Sequence, residues 1–327
     1  GFNQYAPMSG NLELREAIAK KMHALYDSTY HPENEITVTA GATQAISTII
    51  STFVKPNDEV IIFKPAYDSY EPGIKLNGGK VISIQLQAPN FSVDWNAVSQ
   101  KINYRTKMII INTPHNPSGT IFSKADMVEL ERITKNTNII ILSDEVYEHM
   151  IYDGEKHQSA CLFPDLKSRS FVVASFGKTF HNTGWRIGYC CAPKALMKLF
   201  RQVHQFNVFC VHHPTQKGIA DYMQEPKHYL DLSAFYQKKR DLFLSLIKGS
   251  RFTFTPSAGT YFQVLDYSKI TQENDVDFAE RLTIESGLAS IPLSVFNENN
   301  LDNNVLRFCF AKTDDTLKRS AEILNRI

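Results

Sequence analysis

Cysteine is scarce: five residues in 327, at positions 161, 190, 191, 210 and 309. They are scattered, odd in number and without metal-ligand spacing. That excludes a disulfide framework and a zinc site, and it fits reduced thiols in a cytoplasmic protein. The adjacent pair Cys190-Cys191 reads as strand packing. An excess of either charge is also missing: 35 Lys and Arg against 34 Asp and Glu leave a formal net charge of +1, so nothing points to nucleic acid or to an anionic membrane. No apolar run approaches the ~20 residues of a membrane span. There is no signal-peptide pattern, internal repeat, low-complexity tract or basic helix-turn-helix segment. The chain opens at Gly1-Phe2-Asn3-Gln4-Tyr5 without an initiator methionine. What remains is ordinary globular usage, 43% hydrophobic and 21% charged, in a chain long enough for a large α/β domain and a smaller one.

The pattern along the chain supports that division. Leu14, Ile18, Met22 and Leu25 recur at helix spacing over residues 11–26, with Ser9 nearby as a candidate cap. A short strand, Ile36 to Thr39, meets Gly41-Ala42-Thr43-Gln44, and a helix follows through Phe53. Further apolar runs, Val60–Phe63, Val81–Leu86, Met108–Ile111, Ile139–Leu142 and Phe171–Ala174, read as strands. A helix is expected over about Ser123 to Lys135. Continuous apolar runs separated by helices predict a mostly parallel sheet covered on both faces. Helical patterns then cover roughly 194–206, 214–223 and 233–248. Strands and helices alternate again afterwards: Tyr261–Leu265, a helix through Val276 to Glu285, Leu288–Ile291, Val305–Phe310 and a last helix through Leu317 and Leu324. Residues 1–232 are read as the large domain and 233–327 as a smaller α+β domain.

The centre of the pattern is Ser175-Phe176-Gly177-Lys178, followed by Gly184-Trp185-Arg186-Ile187-Gly188. Lys178 lies just past an apolar strand, and ligands of open α/β sheets bind at the carboxyl ends of strands. Ser175 and Arg186 could both reach one phosphate, as a hydroxyl donor and a guanidinium fork. A lysine beside a phosphate suggests a phosphorylated aldehyde held as a Schiff base, which is pyridoxal phosphate chemistry. Other strand ends carry compatible groups. The Gly41-Ala42-Thr43 turn at a helix start offers free N–H groups for an anion. Asp144 ends an apolar strand, where a carboxylate needs a partner; opposite a pyridine nitrogen it would keep that nitrogen protonated. Tyr147 and Asn116 could donate to the cofactor's phenolate oxygen, and Tyr67 could stack on its ring. Taken singly each has an ordinary use: a surface lysine, a tight βα turn, a helix-capping aspartate, a core tyrosine, a turn asparagine.

Taken together, in order and along nearly the whole chain, Gly41-Ala42-Thr43-Gln44, Asn116-Pro117-Ser118-Gly119, Asp144-Glu145-Val146-Tyr147, Ser175-Phe176-Gly177-Lys178, Arg186 and Arg307-Phe308 resemble the fold-type-I, class I/II aminotransferases. Thr113-Pro114-His115-Asn116-Pro117, Gly177-Lys178-Thr179-Phe180 and Ile291-Pro292-Leu293-Ser294-Val295-Phe296 are most similar to the methionine and glutamine/kynurenine branch. The resemblance implies pyridoxal 5'-phosphate as cofactor, with no metal, and amino acid and 2-oxo acid as substrates. It implies that Lys178 holds the cofactor covalently and moves the Cα proton. Asp144 would pair with the ring nitrogen, and Asn116 and Tyr147 would bind the phenolate oxygen. Ala42, Thr43, Ser175 and Arg186 would hold the phosphate, and Tyr67 would stack on the ring. Arg307 would bind the substrate carboxylate, with Asn116 and Tyr67 beside it. Tyr5 matches a tyrosine given to the neighbouring subunit's phosphate, and His212 would lie near the partner's site, which implies a homodimer with active sites at the interface. Family members also carry an N-terminal arm before the position of Gly1; no counterpart stands in this sequence.

No second arginine motif marks a dicarboxylate specialist. Tyr67, Tyr70, Tyr261 and Phe262 make an aromatic set of candidate pocket neighbours, which favours a medium or large apolar donor, methionine first by resemblance. Three other functions compete. A lyase on the same scaffold begins with the same Cα proton removal. A non-catalytic effector-binding domain would usually carry a DNA-binding module. A nicotinamide enzyme would show Gly-x-Gly-x-x-Gly after its first strand, and none is present.

Overall fold

The structure is a computed structural model describing residues 1–327. In chain order, α1 (Leu12–Tyr26) leads to β1 (Ile36–Thr39), α2 (Ala42–Phe53), β2 (Glu59–Lys64), α3 (Tyr70–Leu76), β3 (Lys80–Gln85), α4 (Trp95–Lys101), β4 (Thr106–Asn112), α5 (Lys124–Thr134) and β5 (Ile140–Asp144). The short α6 (Pro164–Lys167) precedes β6 (Ser170–Ser175), α7 (Phe176–Thr179) and β7 (Gly188–Cys191). Four helices follow: α8 (Lys194–Asn207), α9 (His213–Tyr222), α10 (Lys227–Leu230) and α11 (Leu232–Ile247). The last part comprises β8 (Phe262–Asp266), α12 (Asp275–Ser286), β9 (Ile291–Pro292), β10 (Val305–Cys309) and α13 (Asp314–Leu324).

Seven strands form one sheet in the order β1-β7-β6-β5-β4-β2-β3. The ladders from β3 through β6 are all parallel, and β7 runs antiparallel to both β6 and β1. Successive side chains of a strand point to opposite faces, and this sheet buries both. Ile61, Ile109, Ile111, Ile141 and Val172 face one core, with Leu14, Ile18 and Met22 of α1. Val60, Ile62, Met108, Ile110, Leu142 and Val173 face the other, against Ile46, Ile49 and Ile50 of α2 and Phe200 of α8. Continuous apolar runs follow from having two buried faces, each such side chain contributing about 2 kcal/mol. A second sheet, β8-β10-β9, is antiparallel and has its own core built on α11, α12 and α13, into which Tyr147, Met150 and Tyr152 also pack.

Two local expectations are corrected. Ser9 does not cap α1: Asn11 does, its side chain accepting from Glu13 N at 2.9 Å and Leu14 N at 3.4 Å. The stretch Leu288–Ile291 is not a strand as a whole; pairing is confined to Ile291 and Pro292, opposite Arg307 and Leu306 of β10.

The turn after β5 is anchored from below. Glu148 is buried and meets Lys21 of α1, and Tyr26 donates to its Oε2 at 2.5 Å. Burial by itself would raise Glu148, but Lys21, His149 and Tyr26 outweigh it and hold the carboxyl at about 2. Glu145 accepts from Ser143 Oγ at 2.6 Å and from Ala160 N at 3.0 Å, and its Oε2 lies 2.7 Å from His157 Nε2. These contacts fix the segment that carries Asp144 and Tyr147.

Candidate active site

Register brings the polar strand ends together. Asn112 pairs with Asp144 across β4 and β5, Asp144 with Val173 across β5 and β6, and Ser175 with Gly188 across β6 and β7. The carboxyl ends of the parallel strands therefore lie along one edge of the sheet. The pocket there is lined by Ala42, Thr43, Tyr67, Asn116, Asp144, Tyr147, Ser175, Lys178 and Arg186, together with Ile46, Asn112 and Val146. Every residue expected from sequence to hold the cofactor from within this chain lines it directly; of the residues expected around the substrate, Tyr67 and Asn116 line it, Tyr70, Tyr261, Phe262 and Arg307 do not, and Arg307 reaches Asn116 Oδ1 at 2.6 Å through its Nη1. Tyr5 and His212 do not enter it. They share a separate groove, where Tyr5 is 77% exposed and meets Phe209 edge-on at 5.1 Å.

One end of the pocket is built for an anion. No side chain caps the N-terminus of α2, so its first-turn N–H groups face the pocket without a capping partner. The Arg186 guanidinium packs against the same turn. A Cβ on Gly41 would lie 2.6 Å from Arg186 Nη2, and Gly41 also has a φ of +80°, so both the cradle and the turn require glycine. Gly188 is equally tight: a Cβ there would lie 2.7 Å from Ala174 O and 2.9 Å from Ala42 N. A cationic fork, the buried Ser175 and an uncapped helix start match the donor set that a phosphate monoester needs.

The other end holds a carboxylate, a lysine and two phenols. Asp144 is 4% exposed. Burial raises its carboxyl from 3.8 to about 6, opposed by hydrogen bonds from Tyr70 and Val146 N. A buried carboxylate with no cation paired to it suits a protonated ring nitrogen. Lys178 Nζ is 3.2 Å from Tyr261 Oη and lies over the rings of Tyr147 and Tyr261 at 5.8 and 5.9 Å. Tyr67 Oη is 3.1 Å from Thr43 Oγ1. The Arg307 guanidinium sits 4.1 Å from the Phe262 ring centroid, and burial lowers its pKa. These residues fit pyridoxal phosphate in type and arrangement: an anion cradle at one end, a carboxylate at the other, and a lysine between aromatic faces.

Matches with known proteins agree with this geometry. The family model for aminotransferase class I and II matches residues 1–324. The chain belongs to the class I and II aminotransferases. It is 45% identical to the methionine aminotransferase of Escherichia coli K12, covering 100% of this chain and 85% of that protein. It is 29% identical to the kynurenine–oxoglutarate transaminase of Dictyostelium discoideum, over 100% of this chain and 84% of that one. Among solved structures, an E. coli protein described as having a methionine aminotransferase function superposes with a TM-score of 0.98 at 45% identity, covering 100% of this chain and 87% of that chain. N-succinyldiaminopimelate aminotransferase from Mycobacterium tuberculosis superposes at 0.95 and 31% identity, over 100% and 86%. The fold-type-I architecture expected from the motifs is therefore the fold of this aminotransferase.

One residue of the site, and the role of another, are not marked by the sequence. Asn112 sits at the end of β4, accepts from Asn116 N at 2.8 Å and donates to Asp144 O at 2.9 Å. Its signal was a polar residue closing an apolar strand, hidden inside a turn cluster. Tyr70, expected as a pocket neighbour, is 3% exposed and instead donates to Asp144 Oδ2 at 2.5 Å. Tyr261 was expected near the pocket and does contact Lys178.

Proposed function

We propose that this aminotransferase uses pyridoxal 5'-phosphate to move the amino group of methionine, or of another medium or large apolar amino acid, to a 2-oxo acid. The observation that carries the cofactor assignment is the single pocket in which Lys178, Asp144, Ser175, Arg186 and the uncapped start of α2 converge. Pyridoxal phosphate, when bound, supplies an electron sink that makes the substrate Cα–H acidic. Lys178 Nζ would anchor it covalently and, as a free amine, would take and return the Cα proton. Asp144 would keep positive charge at the ring nitrogen, and Asn116 and Tyr147 would hold the phenolate oxygen. Ala42, Thr43, Ser175 and Arg186 would bind the phosphate, while Tyr67 would pack on the ring. Arg307 would take the substrate carboxylate as a fork, and because it donates to Asn116 Oδ1, the Asn116 amide keeps its N–H groups for the role of donor. The division at residues 232 and 233 belongs to the same proposal, with Arg307 on β10 presented by the smaller part to the larger.

Methionine is favoured by the 45% identical E. coli relative and by the apolar walls of Tyr261, Phe262 and Phe296 around Arg307. Kynurenine is the second donor, supported by the 29% identical Dictyostelium relative. Adding pyridoxal phosphate to the purified protein is expected to give a visible absorption band that methionine bleaches and a 2-oxo acid restores. A band that methionine leaves unchanged removes the methionine assignment, and release of pyruvate and ammonia would mark a lyase instead. No band at all would sink the cofactor assignment.

The homodimer is also proposed. Tyr5, Phe206 and Phe209 are 77%, 84% and 46% exposed, and Tyr5 packs on Phe209, so an aromatic surface stands open beside the Tyr5–His212 groove. A second copy covering it would bring Tyr5 toward the partner's phosphate cradle. Sedimentation is expected to show a dimer, and Tyr5→Phe to weaken cofactor affinity about tenfold, as loss of one charge-assisted hydrogen bond does. A fully active monomer would exclude the partner role. No helix of the protein is long and apolar enough to cross a membrane.

A further inference from the structure

The two oxygens of Asp144 are held very differently. Oδ2 accepts from Tyr70 Oη at 2.5 Å, whereas Oδ1 has only a long contact of 3.4 Å from Val146 N. Tyr70 opens α3, is buried, and meets Tyr67 edge-on with ring centroids 5.7 Å apart. Its helix is held at the next residue as well: Glu71 pairs with Lys64 at 2.6 Å, and Lys64 also reaches Glu298 at 3.0 Å. The hydroxyl therefore comes from a fixed support, packed beside the tyrosine that lines the cofactor pocket. A short O–H···O⁻ bond stabilises the ionised carboxylate, and its directionality fixes which oxygen remains free.

We propose that Tyr70 is a positioning residue acting through Asp144: its hydroxyl holds Oδ2 so that the carboxylate stays ionised and presents Oδ1 to the cofactor's ring nitrogen. This rests on the role given to Asp144 above. The titratable groups around the carboxylate are Tyr70 from α3, Lys178 from α7, and Glu145 and Tyr147 from its own strand end and turn. Of these, Tyr70 alone donates a hydrogen bond to it. Without that hydroxyl the buried carboxylate becomes more basic, and the proton shared with the ring nitrogen moves toward Asp144.

Tyr70→Phe deletes one oxygen and leaves the ring packing in place. Two readouts apply. In the cofactor-free protein, labelled with ¹³C at aspartate carboxyls and assigned by the signal missing from Asp144→Asn, the titration midpoint of Asp144 is expected to rise by about one pH unit, a tenfold change in ionisation constant. In protein loaded with ¹⁵N-labelled pyridoxal phosphate, the ring-nitrogen resonance is expected to move from the protonated toward the unprotonated position. Difluorotyrosine at position 70, a more acidic phenol of nearly the same shape, is expected to lower the Asp144 midpoint, so the proposal stays testable if the phenylalanine variant does not fold. Both readouts equal to wild type in the two variants would overturn the role of Tyr70. If Asp144→Asn itself leaves the ring nitrogen unchanged, it is the assignment of Asp144 that fails.

Discussion

Lys178→Ala is expected to abolish the visible band of bound pyridoxal phosphate and to lower turnover by about 10⁴-fold or more, while the fold is retained. The size follows from the two tasks proposed for this one amine, a covalent anchor and a proton carrier. Lys178 also contributes little to folding: it is half-buried, and its hydrogen bond to Tyr261 at 3.2 Å is long. The phosphate cradle does not include it, so cofactor is still expected to bind non-covalently to the variant, detectable by quenching of protein fluorescence. The thermal midpoint without cofactor is expected to stay within about 1–2 °C of wild type, since Lys178 belongs to none of the three cores. Turnover within tenfold of wild type would place the amine elsewhere, and Lys178 is the only lysine lining this pocket. A small amine such as methylamine should restore part of the proton transfer, because Lys178 lines the pocket and truncation leaves space there.

The large sheet was legible because its strands are buried on both faces. Val60–Phe63, Met108–Ile111 and Phe171–Ala174 each read as unbroken apolar runs, and each is a strand. The elements that escaped are short or locally contradictory. The helix α3 contains Pro72 and Gly73 within seven residues, a sequence that argues for a turn; Pro72 is tolerated because it lies in the first turn, where its missing N–H has no partner to lose. The strand β7 begins with Gly188, which is there because β6 and the Gly41 turn crowd it, a packing demand invisible in local pattern. The same distinction divides the site. Asp144 and Ser175 stand out as polar residues ending apolar strands, and Lys178 as a lysine three residues past one. The partner of Asp144 does not, because Tyr70 lies 74 positions away and meets it only through the fold. Nothing in the sequence near Tyr70 separates a tyrosine that walls a pocket from one that holds a carboxylate.

Asp144→Asn is expected to cut turnover at least about a hundredfold while making the cofactor-free protein more tolerant of alkaline pH. Asparagine keeps the shape but cannot hold a proton on the ring nitrogen, so the electron sink weakens at the step that needs it most. The stability effect has the opposite sign. In the cofactor-free protein burial raises Asp144 from 3.8 to about 6, so between those values the folded state binds a proton that the unfolded chain has released. The stabilisation from the protonated form is fully present below about pH 4 and is lost as pH rises through about 6. That loss is on the order of 2–3 kcal/mol, and asparagine, which does not ionise, escapes it. Denaturant unfolding of both proteins without cofactor, at pH 4 and pH 8, should therefore show the variant gaining on wild type by that amount across the interval. Adding pyridoxal phosphate should reverse the order at pH 8, because only wild type then pairs its carboxylate with a cationic ring. A stability difference that is the same at both pH values would mean that Asp144 is not the costly buried charge that its burial implies. An Asp144→Asn enzyme with unchanged turnover would mean that the ring nitrogen has no need of a carboxylate here.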